Sequence, residues 1–165
     1  MEPRIKREAP SITTDLRSDT VQVPSVIRNC SGIRIFGKRI KSLIFTTDIA
    51  IILNNDADAV IAVYPFTPHP AVIQSIANVS TIPILSGVGG GTTQGKRSAN
   101  ISLFSEAQGS LAVVVNAPTP IDTIKQIEET VDIPIVCTIV TEYMDIQARL
   151  DAGVDILNVS GGKDT

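Results

Sequence analysis

Apolar residues in this chain come in short unbroken runs. "SLIFTT" (42–47), "DAVIAVYPF" (58–66), "IPILSG" (82–87), "LAVVVNAP" (111–118), "IPIVCTIV" (133–140) and "VDILNVSGG" (154–162) recur along it. Consecutive apolar positions mark strands buried on both faces, and such strands belong to parallel sheets covered by helices. The segments between them change period. In "PAVIQSIANV" Val72, Ile73, Ile76 and Val79 fall on one stripe, and in "PIDTIKQIEETV" so do Ile121, Ile124, Ile127 and Val131. Both predict amphipathic helices. "KRSANISLFSEAQ" predicts another, apolar at Ala99, Ile101, Phe104 and Ala107, and "DIQARLDAG" one more that stops at Gly153. Prolines stand where these elements tolerate them, at strand starts (Pro83, Pro134) and near helix starts (Pro70, Pro120).

The predicted fold class is α/β: a parallel (β/α) barrel of the TIM type with six of the eight βα units a closed barrel has. The sixth run ends in "SGGKDT", so the expectation is a barrel cut short at its C-terminus, preferred over an open doubly wound sheet. Residues 1–32 hold no βα unit; they predict an extended arm and a short helix in "VPSVIRNC". "IRIFGKRIKS" predicts a hairpin turning at Gly37–Lys38, placed to close a barrel floor. The expected division is therefore an arm over 1–32 and a barrel-type domain over 33–165.

"GVGGGTTQGKRS" (87–98) carries the first candidate chemistry. From Gly90 it matches G-x-x-x-x-G-K, the nucleoside-triphosphate loop, but Arg97 stands where that loop needs a Ser or Thr to hold Mg²⁺. The next strand also ends in Asn116 rather than the Asp that would share the ion. The stretch follows a strand and opens a helix, at the strand end where α/β proteins bind ligands. Glycines there let backbone N–H groups approach an anion, and a helix N-terminus adds favourable potential. We therefore read Gly89, Gly90, Gly91, Lys96 and Arg97 as a phosphate-binding loop, against the plainer reading of a mobile turn.

Parallel strands would bring further polar residues to the same rim: Thr46, Thr47 and Asp48, then Tyr64, Asn116, Thr141 and Glu142, and finally Asn158, Ser160, Gly161, Gly162 and Lys163. Asp48 and Glu142 suit a general acid and base, and Asn116 suits a donor to a carbonyl or enolate oxygen. Capping explains Thr47, Asp48, Thr141 and Glu142 equally well, since all fall at helix starts. Tyr64 and His69, in "YPFTPHP", are expected to shape a rigid loop.

Phrases at the strand borders ("AGVDIL", "TIPI", "DIPI") and the terminal "SGG" resemble those of the aldolase-type, phosphate-binding TIM barrels. "CSGIRIFGKRIKSLIFTTD" and "GVGGGTTQGKRS" resemble, more narrowly, an uncharacterised bacterial barrel family sometimes labelled hydrolase. The wider resemblance implies that Ser160, Gly161 and Gly162 contact a substrate phosphate. It also suggests an imine-forming role for Lys163, although a lysine after two glycines in a loop is better placed as a phosphate partner.

Composition narrows the partners. Of 165 residues, 43% are hydrophobic and 19% charged, and mean hydropathy is +0.23, so a packed domain is expected rather than disorder. No apolar run reaches the length of a bilayer span, and "MEPRIKREAP" is not a secretory signal. A net charge of −3 with pI near 5.1 speaks against nucleic acid. Cys30 and Cys137 are expected to be reduced thiols of a cytoplasmic protein, and one histidine leaves no metal cluster to expect. The combined expectation is an enzyme doing isomerase, lyase or aldolase-like proton transfer on a small phosphorylated metabolite. No cofactor is predicted, with flavin mononucleotide left open, and a homo-oligomer is allowed. The alternatives are a non-catalytic barrel sensing a phosphorylated ligand and, behind it, a nucleotide binder or an assembly role for the sheet edge.

Overall fold

The computed structural model describes residues 9–161. All six apolar runs form strands: β3 (Leu43–Phe45), β4 (Ala59–Ala62), β5 (Ile84–Gly89), β6 (Ala112–Val115), β7 (Ile135–Ile139) and β8 (Ile156–Val159). They pair in parallel, and their order in the sheet is their order in the chain. Helices α2 (Ile49–Leu53), α3 (Pro70–Val79), α4 (Gly95–Ala107), α5 (Ile121–Glu128) and α6 (Ile146–Asp151) fill the crossovers.

Sequential order decides between the two sheet types. A doubly wound sheet reverses direction and covers both faces with helices; this one never reverses. Its two faces accordingly differ. The buried helical residues Ile52, Ile73, Ile76, Ala99, Ile101, Ile124 and Ile127 pack with Val60, Ala62, Val113, Val115, Ile135 and Cys137. The alternate strand residues Ala59, Ile61, Leu85, Ala112, Val114 and Val136 form a separate cluster with no helical member. That is an incomplete TIM barrel, a six-stranded half-barrel with helices outside and side chains filling the concave interior.

The floor of the interior is closed by the hairpin of β1 (Ile33–Ile35) and β2 (Lys38–Ile40), which inserts Ile40, 2% exposed, into the interior cluster. The turn falls at Phe36–Gly37, one residue earlier than the sequence suggested, because the register pairs Ile35 with Lys38 and leaves two residues between them. Asp58 fastens the hairpin to the sheet: its Oδ2 accepts from the amides of Lys41 (2.8 Å) and Ser42 (3.0 Å). The arm ahead of the hairpin holds helix α1 (Asp15–Ser18) and a 3₁₀ turn (Ser25–Asn29). It is tied to the start of β4 by the Arg28–Asp56 ion pair at 2.6 Å and a Val21–Asn55 bridge.

Helix α4 departs from its predicted stripe. Its buried face is made largely of Ser98, Ser102 and Ser105 with Ala99 and Ile101. Ser102 and Ser105 donate to carbonyls one turn back, at 2.8 Å each, so their hydroxyls are satisfied within the helix.

Candidate functional site

The C-terminal ends of parallel strands share one rim, and two polar features meet there. The first lies inside the half-barrel. Register pairs Val114 with Val136 and Val136 with Ile156, a row on the interior face. Two residues further along each strand, alternation returns to the same face. The positions are Asn116, Thr138 and Asn158, all half-buried. Thr138 and Asn158 are direct register partners, and Asn158 Nδ2 donates to Thr138 Oγ1 at 3.3 Å. Below this row lies a cavity of about 200 Å³ lined by Ile40, Ile61, Leu85, Val136, Ile156 and, at its upper edge, Asn158. Lys41, directly after the hairpin, also borders the cavity, and its Nζ is turned to the carbonyl of Arg28; the strand side chains of the interior are apolar up to the polar row at the mouth.

The second feature is the glycine loop, packed between the loops that follow β4 and β6. A Cβ on Gly91 would lie 2.8 Å from Pro65 Cα, and one on Gly89 would lie 3.0 Å from Ser98 Oγ. A Cβ on Gly90 would collide with Thr119 Oγ1 and lie 2.8 Å from Asn116 Cβ, so Asn116 belongs to both features. Gly90 N–H donates to Thr93 O at 3.2 Å and is engaged within the loop. Gly95 N–H, the first of α4, donates to Thr123 Oγ1 at 2.9 Å. The following first-turn amides, of exposed Lys96 and Arg97, have no carbonyl within the helix to donate to.

Around this helix start lie all three buried side-chain oxygens that lack a partner among the described residues: Ser98 Oγ, Thr119 Oγ1 and Gln126 Oε1. Ser98 is 0% and Thr119 1% exposed, and Gln126 Oε1 lies 3.8 Å from the Cβ position of Gly95. Unpaired buried polar atoms are uncommon and call for a cause. A cation stands close by. The guanidinium of half-buried Arg149 donates to Ala117 O (2.8 Å), Thr119 O (3.2 Å) and Cys137 Sγ (3.4 Å), all neutral groups. Burial raises the Cys137 thiol above its ordinary pKa, and the charge and hydrogen bond of Arg149 offset part of that rise.

The remaining sequence candidates are dispersed. Asp48 is exposed and caps α2, its Oδ1 accepting from Ala50 N (2.8 Å) and Ile51 N (3.3 Å). Glu142 is exposed beyond β7, where Thr141 Oγ1 holds the amide of Tyr143 at 3.1 Å. His69 caps α3 through Nδ1, which accepts from Ala71 N at 3.2 Å. Ser160 and Gly161 are exposed at the end of β8, and Ser160 N–H is engaged with Ile139 O at 2.8 Å. Gly162 and Lys163 lie outside the described residues. The glycine loop follows β5 and Ser160–Gly161 follow β8, three strand steps further along the sheet. Sequence reasoning missed Thr138 inside the run "IVCTIV", and Ser98 and Thr119 beside the glycines.

Among the described residues no cluster of His, Cys, Asp or Glu suits a metal, and no helix is long and apolar enough to cross a membrane. No family model and no curated protein matches the chain. Solved structures similar to it include a dihydrodipicolinate synthase (20% identity, 55% of this chain and 37% of that one, TM-score 0.44). The enzyme of that name from Aquifex aeolicus is similar too (19% identity, 55% and 36% covered, TM-score 0.45). So is a monomeric dihydrodipicolinate synthase variant (20% identity, 56% and 36% covered, TM-score 0.42). The chain spans 36–37% of the length of these proteins. Likeness at this level carries no argument about this chain; the narrower resemblance, with its hydrolase label, finds no support among these structures.

Proposed function

We propose that this half-barrel binds a small phosphorylated carbonyl metabolite at its C-terminal mouth and belongs to an enzyme that moves a proton on it, in lyase or isomerase fashion. The observation that carries this reading is the meeting of two complementary surfaces at Asn116. On one side is the neutral polar row Asn116–Thr138–Asn158 above an apolar cavity. On the other is the start of a thirteen-residue helix, with its first-turn amides, exposed Lys96 and Arg97, and the buried unpaired hydroxyls of Ser98 and Thr119 behind them. Amides and cations at a helix N-terminus suit a phosphate, and amide or hydroxyl donors suit the oxygen on which charge develops when a proton leaves the neighbouring carbon. Asn116 is the donor we assign to that oxygen.

A sensing role is the second reading, and one observation favours it. Asp48 is held as a helix cap and Glu142 is exposed, so the described part of the mouth holds no buried carboxylate to serve as a base. One experiment separates the two. Calorimetric titration with dihydroxyacetone phosphate and with dihydroxyacetone should show the phosphorylated compound bound at least tenfold tighter. Proton NMR in D₂O then follows the carbon-bound hydrogens beside the carbonyl. Their exchange supports the enzyme, and binding without exchange supports the sensor. Equal binding of the two compounds would refute the phosphate reading.

A further inference from the structure

The direction of one hydrogen bond at the mouth selects what the mouth takes. A threonine hydroxyl carries one hydrogen and accepts through its lone pairs. Thr138 Oγ1 accepts from Asn158 Nδ2, and its own hydrogen is given to no group among the described residues. With that amide orientation Asn158 Oδ1 is an acceptor, and it too has no donor among the described residues. Asn116, on the other side of Thr138, keeps its whole side-chain amide free of hydrogen bonds within the described chain. The row therefore presents a donor at Thr138 beside an acceptor at Asn158, on strands ~4.8 Å apart.

We infer that Thr138 and Asn158 are a specificity pair for a carbonyl carbon bonded to a hydroxyl-bearing carbon, with the carbonyl oxygen taking the Thr138 hydrogen beside that of Asn116 and the hydroxyl donating to Asn158 Oδ1. This rests on the mouth being the binding site, as proposed above, but not on phosphate. A ligand with only a carbonyl leaves Asn158 Oδ1 unmet. A ligand with only hydroxyls also accepts from Thr138, but it carries one more hydrogen there, which the pair, with Asn158 Oδ1 already taken, does not receive. A hydroxycarbonyl satisfies both, and unmet polar groups in a half-buried site are where discrimination comes from. The pair is neutral, so its preference does not depend on charge. The apolar residues beneath, Val136 and Ile156, give the ligand's carbon skeleton a surface to lie on.

The probes are three phosphate-free compounds of equal carbon number: hydroxyacetone, acetone and 1,2-propanediol, titrated into the labelled protein by NMR. The side-chain amides of Asn116 and Asn158 and the methyl of Thr138 report binding, and inorganic phosphate is titrated separately. The expected result is hydroxyacetone bound about five- to tenfold tighter than either of the others, the loss typical of one unmade hydrogen bond. Thr138→Val, close in shape, should remove the preference over 1,2-propanediol, Asn158→Leu the preference over acetone, and Thr138→Ser should restore the first. Phosphate affinity should stay unchanged in all three variants. Equal affinities of the wild-type protein for the three probes, no binding of hydroxyacetone, or a preference that survives Thr138→Val would each overturn the inference. Loss of phosphate binding alone would count against the proposed function and leave this pair standing.

Discussion

Gly90 and Gly109 offer a matched pair for separating backbone strain from packing. Their φ angles are +85° and +86°, so an added Cβ meets the same left-handed strain at each, about 1–2 kcal/mol. Their surroundings differ. Nothing lies within 4 Å of the Cβ position at Gly109, whereas at Gly90 Thr119 Oγ1 is in collision, Asn116 Cβ stands at 2.8 Å and Asn116 O at 2.9 Å. Neither neighbour yields easily. Thr119 is 1% exposed, and Asn116 O accepts the Thr119 amide at 3.0 Å. Forcing a methyl group into such a place costs about 1–3 kcal/mol more. Gly109→Ala should therefore lose about 1–2 kcal/mol and Gly90→Ala about 2–5 kcal/mol, read from urea midpoints at unchanged slope. A double variant, Gly90→Ala with Thr119→Ala, should recover on the order of 1 kcal/mol, since the two sites share one contact. Equal losses for Gly90→Ala and Gly109→Ala, or no recovery in the double variant, would refute the packing account of this loop. The glycine would then have to be explained by a ligand's approach alone.

Four further outcomes follow from the same geometry. Ser98→Ala removes a buried hydroxyl with no partner and improves helix propensity, so it should raise stability by roughly 0.5–1.5 kcal/mol; a destabilised variant would show the hydroxyl to be bonded. Burial raises the Asp58 carboxyl, but hydrogen bonds from Lys41 and Ser42 and the charge of Arg28 outweigh it and leave the pKa below its ordinary value. A depressed folded pKa stabilises above the unfolded value, near 3.9, and that stability is lost as pH falls through the folded one. Asp58→Asn should lose about 1–3 kcal/mol at neutral pH and show a flatter acid limb below about pH 4 than the wild type. Arg149→Met keeps the apolar stem but drops the bonds to Ala117 and Thr119 carbonyls, so amide exchange in the loop after β6 should accelerate about tenfold while the sheet keeps its protection. A thiol reagent should modify exposed Cys30 quickly in the native protein and reach buried Cys137, with its raised pKa, only on unfolding.

What could be read in the chain followed from how strongly each signal was forced. Strands buried on both faces need continuous Val and Ile, so "LAVVVNAP" and "IPIVCTIV" announced β6 and β7 directly. α5 was equally plain, because Ile124 and Ile127, both 0% exposed, had to share a stripe. α4 was harder. Its inward face is largely serine, small enough to pack, with Ser102 and Ser105 satisfying their hydroxyls within the helix, and hydropathy does not register such a face. At the site, Asn116 stood out as a polar residue ending an apolar run, while Thr138 was hidden within one. The signal that finds Thr138 is comparative: "VVN", "VCT" and "ILN" each place a polar residue two positions beyond an inward-facing Val or Ile. That pattern acquires meaning only once register aligns the three strands. Asp48 was legible as either a cap or an acid, and its bonds to Ala50 and Ile51 show the cap in place.

The division of labour along the strands follows from the barrel's polarity. At the amino ends the hairpin seals the interior: Ile40 fills it, and Asp58 anchors the chain that carries Ile40. In the middle, the rows Ile61–Leu85–Ala112 and Val114–Val136–Ile156 are wholly apolar and hold the sheet's curvature. Among the described residues, the interior-facing strand positions of β6 to β8 turn polar at the carboxyl ends, at Asn116, Thr138 and Asn158, where burial is partial and no longer demands that each be paired within the protein. The three levels should answer mutation differently: Ile40 or Ile61 in stability, Thr138 or Asn158 in choice of ligand, Lys96 or Arg97 in salt-sensitive affinity for charge. That separation is what allows one scaffold to change its chemistry at the mouth without losing its fold.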